Sequence, residues 1–254
     1  MGMSWRKIAA ACGGAAVVVA AGIAWAMTVQ PVAVDLTMAG RNTSAPVRVE
    51  NNSSTPLPVE IRLVETDFGS DGVSASDRPT DEVIAFPPQA IIPPGGTQVF
   101  RLQYVGDPGA DRSRHFYAEV AQLPVELPEG QSAIQILYNF QVMVNVASMV
   151  AGDPQLSVTS TEIAKNPEGE PVAAFTVANS AKNYGYLSTG GLTVRQVGAD
   201  GRELSRKTMA ANEIQQQIGF GLIGPETSRR FVTPIKLDSD QGTLEVTLTR
   251  GRGR

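Results

Sequence analysis

The sequence has few of the residue types from which enzyme and metal sites are built. Its 254 residues include one cysteine, Cys12, and one histidine, His115. A metal site with several histidine or cysteine ligands is therefore excluded. We expect Cys12 to be removed on export, which leaves the mature chain without a thiol nucleophile or a disulfide. We predict no metal, no cofactor, no small-molecule substrate and no enzymatic activity.

After residue 26 the sequence lacks any long stretch with helical periodicity, and its apolar runs are short. Turn-forming residues are frequent, with 25 glycines and 17 prolines in the whole chain. This composition is typical of a β-sheet protein with many turns, so we predict an all-β fold. A turn at Gly152-Asp153-Pro154 separates two predicted β domains, residues 27–150 and residues 151–254.

Residues 1–26 have the pattern of a secretory signal peptide. The basic pair Arg6-Lys7 precedes an uncharged apolar run, and Ala24-Trp25-Ala26 fits a small-x-small cleavage site. We expect cleavage before Met27 and export of the mature chain. An uncleaved membrane anchor is the alternative, because the apolar run approaches the length that spans a bilayer.

The mature chain is acidic. Two of the 21 lysines and arginines lie in the signal segment and none of the 25 aspartates and glutamates does, which gives 19 − 25 = −6. Nucleic-acid binding needs a basic face, so we expect no nucleic-acid partner.

Two sequence features that could indicate a cofactor site or a catalytic residue are better explained by structural roles. Residues 219–224, GFGLIG, match the GxGxxG pattern of dinucleotide-binding proteins. That pattern has meaning only between a strand and a helix, whereas Pro225 and a strand-like segment follow it here. We predict a loop. His115 lies in an alternating segment and is expected to be structural.

Alternating apolar residues between turn signals predict short strands in both domains. In the first domain they are residues 32–38, 45–50, 59–65, 83–86, 97–105 and 115–123, with a loop at 68–81. In the second domain they are residues 155–160, 171–179, 192–197, 231–237 and 243–249.

The longest alternating stretch runs from Ser132 to Val146. Its even positions are all apolar and its odd positions are mostly polar, which predicts one β-strand much longer than the usual 5–6 residues or so. Two interpretations are open. The stretch is either a long central strand buried within its own domain or a strand that offers part of its apolar row to a partner.

Four segments, taken together and in order, resemble the periplasmic pilus chaperones of the chaperone–usher pathway, the PapD-like family. They are residues 45–65, residues 87–101 (PPQAIIPPGGTQVFR), residues 111–125 and residues 219–231. Residues 81–88 look closest to the archaic, Csu-type branch. The resemblance implies two immunoglobulin-like sandwich domains in an L-shaped arrangement and a non-enzymatic role in the periplasm.

The resemblance also implies a partner for the long stretch, which lies where the family's donor strand should be. In donor-strand complementation, alternate apolar side chains of this strand complete an unfinished pilin-like subunit. The side chains expected to contact the subunit are Ile134, Ile136, Tyr138, Phe140 and Val142. The second implied partner is an outer-membrane usher.

The sequence departs from the family at the anchor for the terminal carboxylate of the subunit. The family commonly uses an arginine on the first strand and a lysine on the donor strand, near Met143 here, but neither segment contains a basic residue. Arg101 is the candidate anchor. It alternates with Phe100 and Leu102, so it should point away from the core, and its guanidinium can hold both carboxylate oxygens. The alternative for Arg101 is an ion pair with an acidic residue on a neighbouring strand.

Two other functions remain open at this point. One is an exported structural or adhesive β-sandwich protein without chaperone activity. The other is a hydrolase or lectin built on sandwich domains.

Overall fold

Two separate hydrophobic cores organise the chain. The computed structural model describes residues 27–124 and 136–249. One core is built from residues between Met27 and Val146, and the other from residues between Ala173 and Leu244. The predicted all-β fold with two sandwich domains is confirmed, while the predicted signal segment lies outside the described residues.

The first domain has ten strands in two sheets. The strands are β1 (Met27–Gln30), β2 (Ala33–Thr37), β3 (Ser44–Asn51), β4 (Leu57–Phe68), β5 (Val73–Pro79), β6 (Val83–Phe86), β7 (Gln89–Ile92), β8 (Thr97–Tyr104), β9 (Arg114–Gln122) and β10 (Asn139–Ala147). One sheet has the order β1-β3-β8-β6. The other has the order β2-β10-β9-β4-β5, with β7 also paired to β4. Strand β10 runs parallel to β2 and antiparallel to β9.

Alternation along the strands fills the space between these two sheets. On β8, Phe100, Leu102 and Tyr104 are buried, whereas Arg101 and Gln103 face solvent. The predicted orientation of this strand is therefore confirmed. Strands of this kind bury every second side chain, and two facing sheets then enclose the core between them.

The predicted loop at 68–81 was wrong in its central part, which forms β5. Most of β5 is polar and exposed, so it lacks the apolar alternation that marks a strand in sequence. It pairs with β4 at the edge of the sheet through its backbone. Arg78 also donates hydrogen bonds of 2.7 Å to both Glu65 and Asp67 on β4. Edge strands need only one pairing neighbour, which explains why a polar sequence suffices.

The second domain has eight strands and two short helices. The strands are β11 (Leu156–Lys165), β12 (Pro171–Asn179), β13 (Gly185–Tyr186), β14 (Gly191–Val197), β15 (Glu203–Met209), β16 (Leu222–Ile223), β17 (Ser228–Lys236) and β18 (Thr243–Thr249). A 3-10 turn covers Leu187–Thr189, and helix α1 covers Ala211–Gln217. The sheets are β11-β12-β17, β15-β14-β18 and the pair β13-β16. Strand β15 and helix α1 were not predicted, because β15 is mostly polar and exposed and α1 has only seven residues.

The GFGLIG segment is a loop that leads into a two-residue strand. Gly219 and Gly221 adopt positive φ angles of 93° and 65°. A Cβ atom on Gly221 would lie 2.6 Å from the Cβ of Leu187, so this position has no room for a side chain. Strand β16 follows, then Pro225 and β17. The predicted loop is confirmed for residues 219–221, whereas Leu222 and Ile223 of the same segment form β16. Within the described ranges, no helix has the length and apolarity to cross a bilayer.

Candidate functional site

Strand β10 carries the apolar row that the sequence singles out. It begins at Asn139, so the prediction of a strand is confirmed for residues 139–146. Residues 136–138 are not part of the strand, and residues 132–135 lie outside the described residues. The predicted contact residue Ile134 is among the latter.

The even positions of this row pass from the core into solvent toward the start of β10. Val142 is 1% exposed and belongs to the domain core. Phe140 and Tyr138 are partly buried against that core, whereas Ile136 is 69% exposed. The prediction that Val142 contacts a subunit is corrected, because its side chain already packs inside its own domain. Ile136, Tyr138 and Phe140 retain exposed apolar surface.

The backbone of β10 has an open edge beside these side chains. The carbonyl of Tyr138 accepts a 2.9 Å hydrogen bond from the Gln122 amide, so even residues direct their backbone groups toward β9. The Met143 amide donates a 3.0 Å hydrogen bond to the Val32 carbonyl, so odd residues point to the opposite side. On that side β2 pairs with β10 only from Met143 onward. The backbone groups of Asn139 and Gln141 therefore face an edge that no described strand covers.

The cleft between the domains begins where this open edge ends. Asp35 on β2 is in register with Asn145 on β10, and both face the second domain. The hydroxyls of Tyr184 and Tyr186 donate to one oxygen of Asp35 at 2.9 and 2.5 Å. The Asn145 amide donates to the Tyr186 oxygen at 2.6 Å. Strands β2 and β10 thus present a carboxylate and an amide to the second domain, and neither of these two side chains is a cation.

The two tyrosines stay protonated in this arrangement. Burial raises the pKa of Tyr184 and of Tyr186, and the negative charge of Asp35 raises both further. Each hydroxyl is therefore a donor at any physiological pH, and the pair fixes the Asp35 carboxylate in place.

His115 is buried between the domains and has a structural position. Its Nδ1 lies 2.7 Å from the side-chain amide oxygen (Oδ1) of Asn145, and its Nε2 lies 2.9 Å from the Ser113 hydroxyl. Since an amide oxygen only accepts, Nδ1 carries the proton and Nε2 accepts from Ser113. The rings of Phe68 and Tyr184 contact it edge-on, with centroids at 5.0 and 5.2 Å. Burial lowers the pKa of His115 to about 4, so the imidazole is neutral at pH 7.

Further contacts hold the second domain against the first. The Arg112 guanidinium lies 2.5 Å from the Glu226 carboxylate across the boundary. The Ser113 amide donates to the Lys182 carbonyl at 3.0 Å. A Cβ on Gly224 would lie 2.6 Å from the Phe68 ring, so glycine permits a close approach of the two domains.

Arg101 lies far from the open edge, on the outer face of the other sheet. Its strand, β8, pairs with β3 and β6, whereas β10 belongs to the facing sheet. The two sheets of a sandwich are about 10 Å apart, with the core between them. Arg101 donates a 3.1 Å hydrogen bond to Ser44, and no ion pair joins it to an acidic residue in the described chain. The geometry disagrees with the predicted anchor role and with the alternative of an ion pair.

One partly buried arginine was not singled out in the sequence. Arg229 on β17 follows the GFGLIG segment, and its guanidinium carbon lies 4.9 Å from the centre of the Phe231 ring. Nothing in its local sequence distinguishes it from Arg230, which is exposed enough to pair with Glu162 at 2.5 Å. Alternation along β17 separates the two arginines, because Arg229 lies on the face of Phe231 and Arg230 on the opposite face.

Comparison with known proteins agrees with this architecture. Residues 27–146 match the family model of the pili and flagellar-assembly chaperones, PapD N-terminal domain. No curated protein matches the sequence.

Solved structures share the fold at low identity. A chain of the Salmonella enterica complex of the SafA pilin with the SafB chaperone is 13% identical, with 87% of this chain and 95% of that chain covered and a TM-score of 0.52. The YadV chaperone is 18% identical, with 88% and 92% covered and a TM-score of 0.50. The class 5 fimbriae chaperone CfaA is 12% identical, with 88% and 98% covered and a TM-score of 0.50. The first domain thus matches the PapD N-terminal domain model, and the chain as a whole is similar in its two-domain β fold to these solved chaperones.

Proposed function

We propose that the protein is a periplasmic chaperone that captures pilin-like subunits by donor-strand complementation. The observation that carries the proposal is the start of β10, where an open backbone edge and exposed apolar side chains coincide. An unpaired edge accepts an additional strand through its free N–H and C=O groups. Asn139 and Gln141 supply these groups here.

The side chains beside the edge supply the apolar part of the contact. Full burial of a large apolar side chain is worth about 1.5–3 kcal/mol. Because Tyr138 and Phe140 are already partly buried and Ile136 is 69% exposed, we expect roughly 2–4 kcal/mol from the three together, before ordering costs. Association costs several kcal/mol, so this burial must be supplemented by strand pairing and by the folding of the subunit.

The proposed partners follow from this mechanism. A subunit whose sheet lacks one strand exposes a groove that the apolar row of β10 can fill, and its own folding supplies the free energy of capture. An outer-membrane usher is the proposed acceptor of the complex. The proposed location is the periplasm, which requires that the segment before Met27 act as a secretion signal.

Co-purification tests the proposal. The protein, tagged at its C-terminus and expressed with pilin-like subunits from the same organism, should yield a soluble one-to-one complex with a subunit that aggregates when expressed alone. A subunit that folds alone and is not retained by the tagged protein would refute chaperone activity. Retention of a glycan instead would favour the adhesive alternative.

A further inference from the structure

Asp35 is an exposed carboxylate that no basic residue neutralises. It lies on β2 and points away from the core of its own domain, toward the second domain. Its Oδ1 accepts hydrogen bonds from the hydroxyls of Tyr184 and Tyr186, whereas its Oδ2 makes no hydrogen bond to a described residue. In the part of the chain that the structure describes, no basic residue forms an ion pair with it. Lys182, two residues before Tyr184, pairs with Asp111 instead.

A chain of hydrogen bonds across the domain boundary ends at this carboxylate. The Ser113 hydroxyl donates to His115 at 2.9 Å, and His115 donates to the Asn145 side chain at 2.7 Å. Asn145 donates to the Tyr186 oxygen at 2.6 Å, and Tyr186 donates to Asp35 at 2.5 Å. All four donors point in the direction of Asp35, and hydrogen bonds aligned in this way polarise and strengthen one another. The chain therefore stabilises the negative charge and holds the carboxylate in one position.

Three aromatic rings lie beside the carboxylate. Tyr184 and Tyr186 contact each other edge to face with ring centroids 5.4 Å apart, and the Phe220 ring lies 5.9 Å from that of Tyr186. All three side chains are partly exposed. Gly219 and Gly221, both with positive φ, turn the backbone on either side of Phe220. An aromatic ring attracts a cation to its face and also packs against the methylene stem of a long basic side chain.

These neighbours select an organic cation. A bound metal ion needs several oxygen, nitrogen or sulfur ligands, and no cluster of three acidic, histidine or cysteine side chains exists among residues 27–124 and 136–249. An ammonium or guanidinium group needs fewer partners, since one ionised carboxylate oxygen gives it a strong hydrogen bond. Asp35 offers that oxygen beside aromatic surface, which suits the side chain of a lysine or an arginine.

The carboxylate lies in line with the open edge of β10. Asp35 is in register with Asn145, four residues beyond Gln141, where the open edge ends. At about 3.3 Å per residue this is a distance of about 13 Å along the sheet. A subunit strand that pairs with Asn139 and Gln141 therefore ends short of Asp35. An extended lysine or arginine side chain, the aspartate side chain and an ion-pair contact of about 3 Å together span a gap of this order.

We propose that Asp35, with Tyr184, Tyr186 and Phe220, binds a lysine or arginine side chain of the captured subunit. This inference rests on the proposed function, because the subunit supplies the cation. It gives the cleft a preference among subunits. A basic residue close to the end of the strand that pairs with β10 strengthens capture, and an acidic residue there weakens it by repulsion.

The first experiment measures the affinity of the co-purifying subunit for wild-type protein and for Asp35→Asn. The asparagine oxygen still accepts from both tyrosine hydroxyls, so the variant removes the charge and retains the acceptor. Affinity should fall about 10- to 100-fold, as expected for the loss of a hydrogen bond between charged groups. Asp77→Asn is the matched control, since it removes an exposed aspartate of β5 that forms no ion pair with a described residue, and it should leave affinity unchanged.

Subunit variants identify the cation. Each lysine or arginine near the end of the pairing strand is replaced by glutamine, one at a time. One replacement should weaken binding to wild-type protein as much as Asp35→Asn does and have no further effect on binding to Asp35→Asn. Equal affinity of wild type and Asp35→Asn for the unaltered subunit would overturn the proposal, as would losses that simply add for every replacement.

The second experiment needs no subunit and so separates this inference from the proposed function. Its probe is butylguanidinium chloride, compared with uncharged butylurea in sodium chloride of equal ionic strength. The difference in melting temperature between wild type and Asp35→Asn should increase with butylguanidinium to a plateau and stay constant in butylurea, and Asp77→Asn should behave as wild type. A difference that butylguanidinium leaves unchanged would overturn the cation site. A response to butylguanidinium, combined with no subunit captured by wild type, would show a site for a free small cation and overturn the subunit as its source.

Discussion

The alternating stretch that leads into β10 has one apolar side chain exposed to a possible partner and another that is already buried in the domain core. Ile136 is 69% exposed and Val142 is 1% exposed, although both occupy even positions of the same stretch. We expect Ile136→Asp to change the free energy of unfolding by no more than about 0.5 kcal/mol, as surface substitutions do. Val142→Asp should lower it by about 4 kcal/mol or more, because it places an unpaired carboxylate in the core.

Binding of the subunit, in contrast, should depend strongly on Ile136. Ile136 has about two thirds of its side chain left to bury, which is worth about 1–2 kcal/mol in a complex. An aspartate at this position would also lose its water on binding, and that adds at least about 1–3 kcal/mol. A total of about 3 kcal/mol corresponds to a loss of subunit affinity of about 100-fold.

Both halves of this prediction can be measured on the same samples. Urea unfolding followed by far-ultraviolet circular dichroism gives the stability of each variant, and titration with the captured subunit gives its affinity. If Ile136→Asp unfolds the domain, the exposed end of the row is part of the core after all. If it binds the subunit as tightly as wild type, this end of the row makes no contact and the reasoning fails.

Three other measurements test the domain boundary and the expected processing. The folded-state pKa of His115, about 4, lies below the value of about 6.5 in the unfolded chain, so the contribution of His115 to stability should fall by about 3 kcal/mol between pH 6.5 and 4 and change no further below that. Urea unfolding of wild type and His115→Asn across this range tests it, and an equal pH dependence would contradict the assignment. Asp35→Ala removes the acceptor of two tyrosine hydroxyls and should lower the unfolding free energy by about 1–3 kcal/mol, and Asp35→Asn should lower it by less. An alanine variant as stable as wild type would show that this cluster does not hold the two domains together. The intact mass of periplasmic protein should correspond to a chain that begins at Met27, and a mass that includes residues 1–26 would favour the anchor alternative.

The sequence predicted those features that depend on local pattern. Alternation along Thr97 to Tyr104 predicted the strand and which of its faces is buried, and the short apolar run that ends at Phe86 predicted β6, whereas β7 was not predicted. The glycines and the proline at 219–225 predicted a loop in place of a cofactor site. Period two and turn chemistry act over a few residues, so they can be read without knowledge of the fold.

Other features depended on which segments meet in space. The row from Ser132 to Val146 has one period throughout, yet Val142 is covered by the facing sheet and Ile136 is not, because the sheet that covers a strand is remote in sequence. Strand β5 has no apolar alternation and exists because β4 offers it a backbone edge.

For the charged residues, too, part of the answer lies in the sequence and part only in the tertiary structure. The sequence by itself determined that the first strand and the stretch from Ser132 to Val146 contain no basic residue, since a residue's type needs no structure to be known. It could not determine which arginine has a counter-charge. Arg229 and Arg230 are neighbours in the chain, but alternation along β17 places Arg229 on the face of Phe231 and Arg230 on the face toward Glu162. Pairing of a charge is decided by side chains many residues away, and only the tertiary structure brings those side chains together.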